Sequence, residues 1–401
     1  MLTPAEATQL IADHLPGLPP ESLQVSDCAG AVLREDVRAE RDQPPFDRVS
    51  MDGIALSSRA FIEGRRRFRI AGLQAAGDPP RALQSAGDCL EAMTGAVLPI
   101  GCDAVVPVER IVVEEGFATI AADVAVEPWL NVHRRGSDQT QGALLLKAGV
   151  RLESPDISVA AGAGMPRLSV TRQPTVMVVS TGNELVEPGE PIEAWQLRRS
   201  NAHGLVAALR RRGFRRVADD HLPDDPDALR ERLGRHLEAY DVLLLSGGVS
   251  MGKLDLVPAA LAACGVRQVF HKIAQRPGKP MWFGTTPNGR LVFALPGNPV
   301  STLVCLVRYV IPALEASMGL READRNRGRI ALAAPVAFNA ALAGFVPVRI
   351  ETDDEGRPWA AASPHNGSGD FAALAGTDGF IELPPGPGVY PKGFVTRLYR
   401  W

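Results

Sequence analysis

Residues 174–325 constrain the fold most, because unbroken apolar runs alternate there with helical patterns. Val176-Met177-Val178-Val179-Ser180 and Asp241-Val242-Leu243-Leu244-Leu245 carry apolar residues at consecutive positions, with no polar alternation. Strands covered on both faces read this way. Helical patterns at 201–212, 226–239 and 255–263 separate further strand candidates at 216–218, 269–273, 281–284 and 291–295, and a helix at 298–318 closes the segment. Asp224 or Asp225 is placed to cap the second helix. Such alternation predicts an α/β domain with a parallel or mixed sheet.

The ends of these strands carry the chemistry. Ser246-Gly247-Gly248-Val249-Ser250 follows the second long strand, with Asp255 just beyond. Glycines let backbone amides approach an anion, and a following helix N-terminus favours negative charge. Ser180-Thr181-Gly182-Asn183-Glu184 and Pro296-Gly297-Asn298-Pro299-Val300-Ser301 are two more polar strand-to-helix loops. In open α/β sheets ligands collect outside the carboxyl ends of the strands. Lys272, Arg276 and Lys279 add three cations in a loop stiffened by Pro277, Gly278 and Pro280, which suits phosphate or another oxyanion. The P-loop, the dinucleotide fingerprint, the zinc-protease motif and the nucleophile elbow are all absent.

Outside this segment the pattern changes. Residues 1–45 and 145–173 carry helix starts and extended stretches, and are read as one discontinuous linker domain. Residues 46–144 hold short apolar runs between Gly, Asp and Pro turns, which predicts an inserted β-rich domain. Residues 326–401 predict a small C-terminal β-barrel, with one helix near 370–374. Asp52, in Ser50-Met51-Asp52-Gly53, and Asp138, in Arg135-Gly136-Ser137-Asp138, are candidate oxygen ligands for a hard cation such as Mg2+.

Several classes are excluded. The net charge of −3 offers no basic footprint for nucleic acid. Neither a signal peptide nor an apolar run of about 18 residues is read, so a cytoplasmic location away from membranes is expected. The five cysteines, at 28, 89, 102, 264 and 305, are odd in number and widely spaced, which argues against disulfides and zinc, although Cys102 sits in a turn.

The motifs together resemble the molybdopterin molybdenumtransferase family, the MoeA-like proteins and the E domain of gephyrin. The resemblance rests on Pro45-Phe46-Asp47, Ser50-Met51-Asp52-Gly53, Thr94-Gly95, Asn131-Val132, Arg135-Gly136-Ser137-Asp138, Ser180-Thr181-Gly182-Asn183-Glu184-Leu185, Ser200-Asn201, Ser246-Gly247-Gly248-Val249-Ser250, Pro277-Gly278-Lys279-Pro280 and Leu295-Pro296-Gly297-Asn298-Pro299-Val300-Ser301. These blocks keep the family's order over nearly the whole chain. The resemblance implies an elongated homodimer whose cleft joins the α/β domain of one subunit to the N-terminal region of its partner. It implies adenylylated molybdopterin and molybdate as substrates, with molybdenum cofactor and AMP as products, and transient contact with other cofactor-synthesis proteins or acceptor molybdoenzymes. Asp52, Asp138, Asp224 and Asp255 are carried over as acids for Mg2+. Lys272, Arg276 and Lys279 neutralise phosphate or molybdate. Thr94, Ser180, Thr181, Gly182, Glu184, Ser246, Gly247, Gly248, Ser250, Pro296, Gly297, Asn298, Ser301 and Ser368 hold the ligand.

Arg276 stands where the family commonly has a lysine, and Lys253 where some relatives have an acid. Two rival readings remain open at this point: a molybdopterin adenylyltransferase, whose catalytic domain resembles residues 174–320, and a non-catalytic gephyrin-like scaffold.

Overall fold

A computed structural model of the chain describes residues 1–248, 256–321, 328–339, 341–364 and 366–401. The expected positions Ser250, Lys253 and Asp255 lie outside the described residues.

The unbroken apolar runs form the middle of a six-stranded mixed sheet. Its strands are β1 (Val176–Thr181), β2 (Val217–Leu222), β3 (Val242–Ser246), β4 (Arg267–His271), β5 (Trp282–Thr285) and β6 (Leu291–Leu295), in spatial order β2-β1-β3-β6-β5-β4. Neighbours from β2 to β6 run parallel, while β5 is antiparallel to both β6 and β4. Four helices cover it: α1 (Ser200–Arg211), α2 (Pro226–Ala239), α3 (Val257–Ala263) and α4 (Pro299–Ser317). Alternate residues of each strand face opposite layers. Val176, Val178, Val242 and Leu244 pack with Leu205 and Leu209 of α1 and Val304 of α4. Met177, Val179, Leu243 and Leu245 pack with Leu229 and Leu233 of α2 and Leu261 of α3. Burial on both faces is why no polar alternation appears in the sequence.

Asp225 is the residue that caps α2, its side chain accepting from the Ala228 N–H at 2.8 Å, so Asp224 is left for another role. Helix α4 corrects one expectation. It is long and apolar enough to cross a membrane by length and composition, yet most of it lies inside this core. Its middle, Leu306–Val310, is a π turn next to Pro312, which cannot donate to the carbonyl four residues earlier.

The same compact unit (residues 1–35, 148–153 and 167–401) includes the N-terminal helix and the C-terminal barrel. Thr3 and Glu6 close a capping box around the helix Pro4–Ala12. The strands Pro20–Gln24 and Arg167–Thr171, not foreseen from sequence, pair antiparallel. At the C-terminus, Ala343–Thr352 pairs with Pro358–Ala362 on one side and Gly379–Leu383 on the other. Gly328–Leu332 and Val395–Arg400 complete a closed five-stranded circuit. The expected helix near 370–374 is a single 3-10 turn, Ala372–Leu374.

A second unit (36–147 and 154–166) holds its own six-stranded mixed sheet. Ile54, Leu56, Phe68, Cys89, Val106 and Ile120 fill its core. The helix Ser154–Gly162 belongs to this unit. All five cysteines are free, and Cys102 is buried rather than exposed in its turn.

Candidate functional site at the carboxyl edge of the sheet

Register runs straight across the central sheet. Asp220 lies opposite Val179, Val179 opposite Leu245, Leu245 opposite Ala294, Ala294 opposite Trp282, and Trp282 opposite His271. The carboxyl ends of β1, β2, β3, β4 and β6 therefore open on one edge. That edge collects Thr181, Gly182 and Glu184 after β1, Asp224 after β2, Gly247 and Gly248 after β3, Lys272, Arg276 and Lys279 after β4, and Pro296, Gly297 and Asn298 after β6.

Three of these loops touch. A Cβ on Gly247 would come within 3.0 Å of the Thr181 carbonyl oxygen, and one on Gly297 within 3.6 Å of the Gly247 Cα. Gly247 and Gly248 hold φ of +100° and +66°, which favours glycine over other residues. A Cβ on Gly248 would also meet Val257 Cγ2 at 2.5 Å. The Thr181 Oγ1 is buried between these glycines and has no hydrogen-bond partner among the described residues. Buried polar atoms are nearly always paired, so this hydroxyl is open to a further partner.

Polar side chains tie the loops of this edge together. Asn201 Nδ2 donates to Ser246 Oγ at 2.9 Å and to the Gly297 carbonyl at 2.7 Å. Arg199 is 8% exposed and donates to Ser180 Oγ at 3.3 Å, while its guanidinium also pairs with Glu187 and Asp219. Asn183 and Asp224 exchange hydrogen bonds, the Asn183 N–H to Oδ2 at 3.3 Å and the Asp224 N–H to Oδ1 at 3.1 Å. His221 Nε2 lies 2.9 Å from the Gly182 carbonyl. Arg199, Asn201 and His221 were absent from the sequence-derived site. A cation at the entry to a helix, where the dipole disfavours it, was the available signal for Arg199.

The basic loop is built rather than free. Lys272 sits at φ +78°, with its N–H donating to the Met281 carbonyl and the Ile273 N–H to the Lys279 carbonyl, each at 2.9 Å. Gln275, fully buried, accepts from the Tyr309 hydroxyl and donates to the Pro277 carbonyl at 3.1 Å. Gln275-Arg276 pairs with Ala343-Gly344 of the barrel. Arg276 and Lys279 stay exposed. Asn298, a capping residue by position, makes no side-chain cap. Its amide donates instead to Ser368 Oγ at 2.8 Å, and the Val300 N–H donates to the Ser368 carbonyl at 3.2 Å. Ser301 is buried in the first turn of α4.

In the second unit, the three N-terminal motifs meet around the short strand Arg48–Val49. It pairs with Val132–His133, and Val49 exchanges backbone hydrogen bonds with Gly95 and Ala96. Asp52 accepts from the Thr94 N–H at 2.6 Å and the Thr94 hydroxyl at 2.7 Å, and these bonds hold its carboxyl below the usual range. Thr94 is thus engaged with Asp52. Asp138 Oδ1 lies 2.7 Å from His133 Nε2, and the other ring nitrogen of His133 lies 2.9 Å from an Arg48 guanidinium nitrogen.

Known proteins match the chain along its whole length. Residues 2–164 match the MoeA N-terminal region (domain I and II), 177–316 a probable molybdopterin binding domain, and 329–396 the MoeA C-terminal region (domain IV). The chain is 36% identical over 402 residues to a molybdopterin molybdenumtransferase of Synechocystis sp., covering 100% of both chains. The chain belongs to the molybdopterin molybdenumtransferase family. A second family member, from Synechococcus elongatus, is 34% identical over 398 residues and covers 96% of each chain. The crystal structure of the molybdopterin biosynthesis MoeA protein from Pyrococcus horikosii superposes with a TM-score of 0.83 at 27% identity, covering 100% of this chain and 99% of that one.

The expected Mg2+ has a weaker basis in the geometry. Among the described residues, no group of three His, Cys, Asp or Glu side chains is placed to hold a metal ion. Asp52 is taken up by Thr94, Asp138 by His133, and Asp224 by Asn183.

Proposed function

We propose that this family member inserts molybdenum from molybdate into adenylylated molybdopterin and releases AMP. The observation that carries the reading is the contact of three glycine-bearing loops beside the Thr181 hydroxyl, which has no partner among the described residues, in a chain matched by the family from end to end. In this reading, loop amides and the α4 N-terminus seat the phosphates. Ser180, Ser246 and Asn298 fix the loops, and Lys272, Arg276 and Lys279 neutralise the charge that gathers as oxyanion and phosphate approach. Placement and charge neutralisation do most of the work in such transfers.

Mg2+ dependence belongs to this proposal. The ion commonly takes one or two carboxylates and completes its shell with water and substrate phosphates, so a three-residue protein cage is not required. Asp224 is one described carboxylate at the edge, and Asp255 its expected companion. The ion would draw charge from the phosphates. The homodimer, a cytoplasmic setting, and the delivery of Asp52 and Asp138 from a partner subunit are further parts of the reading, and they rest on the resemblance.

The test is to supply purified protein with adenylylated molybdopterin, Mg2+ and molybdate and to follow AMP. Molybdate-dependent release supports the proposal. Turnover only with ATP and free molybdopterin would assign the preceding adenylylation step instead.

A further inference from the structure

Beside the strand-end loops lies an apolar slot of about 350 Å³, walled by Gly204 of α1, Pro299 and Leu303 of α4, and Phe371, Leu374 and Ala375 of the barrel loop. Asn201 also lines it. Pro299 and Leu303 are one helical turn apart and so share a face. The opposite wall is fixed by the bonds of Ser368 to Asn298 and Val300, three residues before Phe371. Phe371 is nevertheless 59% exposed, the largest apolar side chain in the wall and the one left open to solvent.

We propose that this slot takes the planar, amino-substituted heteroaromatic ring of the ligand whose phosphates occupy the strand-end loops, with Phe371 as the stacking face. This rests on the reading above. Three features support a ring over an aliphatic chain. The volume falls at the lower end of small-ligand pockets. One wall carries the aromatic Phe371, and the others are apolar, from Gly204, Pro299, Leu303, Leu374 and Ala375, which suits a π face. The lining includes Asn201, whose Nδ2 is committed to Ser246 and Gly297 while its Oδ1 accepts no hydrogen bond among the described residues. That oxygen is an acceptor for a ring amino or ring N–H group. Through Asn201 the slot is continuous with the loop that holds Ser246, so ring and phosphate sites are read by one side chain.

Adenine and the pterin both have this chemistry, and the experiment separates them. Binding of AMP and of free pterin is measured by calorimetry on the full chain, for wild type, Phe371→Ala, Phe371→Tyr and Gly204→Leu. A Cβ at Gly204 lies 3.6 Å from Leu303 Cδ2, an ordinary contact, so Gly204→Ala is a control that folds without filling the slot, whereas leucine reaches into it. Stacking on an aromatic side chain is worth enough that its loss weakens binding by about tenfold or more. The expected result is that Phe371→Ala and Gly204→Leu weaken one of the two ligands by about that factor, that Phe371→Tyr and Gly204→Ala retain it, and that pyrophosphate binds all variants alike. Loss for AMP assigns the slot to adenine, and loss for pterin assigns it to the pterin. Equal affinity of every variant for both ligands, or no binding of either by wild type, overturns the proposal. Molybdate-dependent AMP release by a Phe371→Ala variant with unchanged ligand affinities would sink the ring slot alone. Ring binding lost in the variants, without any turnover by wild type, would sink the transferase reading alone.

Discussion

The side-chain amide of Asn298 donates to Ser368 Oγ at 2.8 Å, joining the loop after β6 to a loop of the C-terminal barrel. The barrel therefore contributes to the edge where the ligand is expected. An exposed neutral hydrogen bond contributes about 0.5–1.5 kcal/mol at most. Ser368→Ala should shift the melting temperature little and should speed amide exchange across residues 366–375. Unchanged exchange there would show that Ser368 does not hold the loop.

Gly247→Ala should damage the site more than its size suggests. Alanine at φ +100° is strained, and its Cβ would crowd the Thr181 carbonyl at 3.0 Å. A cost of about 1–3 kcal/mol in stability is expected, with weaker pyrophosphate binding. Denaturant titration and calorimetry on the same preparation measure both, and an unaltered ligand affinity would remove the loop from the anion site.

Arg308, 6% exposed in the π turn of α4, donates to Glu382 of the barrel at 3.1 Å, and the Tyr399 hydroxyl donates to the same carboxylate at 2.6 Å. Removing one partner of a buried pair leaves an uncompensated charge. Glu382→Leu should cost about 3–5 kcal/mol in urea unfolding. The double variant Arg308→Met with Glu382→Leu should recover much of that loss. Equal losses in single and double variants would contradict the pairing.

Asp241 sets an acid limit. Burial pushes its carboxyl up, but hydrogen bonds from Arg172 at 2.8 Å and from the Thr175 N–H at 2.9 Å outweigh this and hold it below the usual carboxylate range. A depressed folded-state pKa stabilises the fold above the unfolded value, about 3.9, and the contribution disappears as pH falls through the folded value. Asp241→Asn should therefore be less stable than wild type at pH 7, with the difference shrinking below about pH 4. Melting curves from pH 7 to pH 3 check this, and a difference that stays constant with pH would contradict it.

The α/β domain was readable because both faces of its strands are covered, and Val176–Thr181 and Val242–Ser246 therefore carry no polar alternation. The strand-end loops were readable because glycine, serine and asparagine followed each run. The strand pair Pro20–Gln24 and Arg167–Thr171 was not, because its partners stand far apart in sequence and alternate only weakly in burial. Neither was the bracing of the site. Arg199 reads as one of several surface arginines until Ser180, Glu187 and Asp219 are seen around it. The core role of α4 was equally hidden, since its apolar residues are interrupted by Arg308 and Glu315, which are buried and paired.

The central claim is tested most directly by counting two products in one tube. Protein is mixed with adenylylated molybdopterin, Mg2+ and graded molybdate, and both AMP and pterin-bound molybdenum are quantified. The account predicts that they rise together, one to one, with no AMP above background when molybdate is omitted. AMP release that does not depend on molybdate, or that yields no molybdenum-bearing pterin, would contradict it.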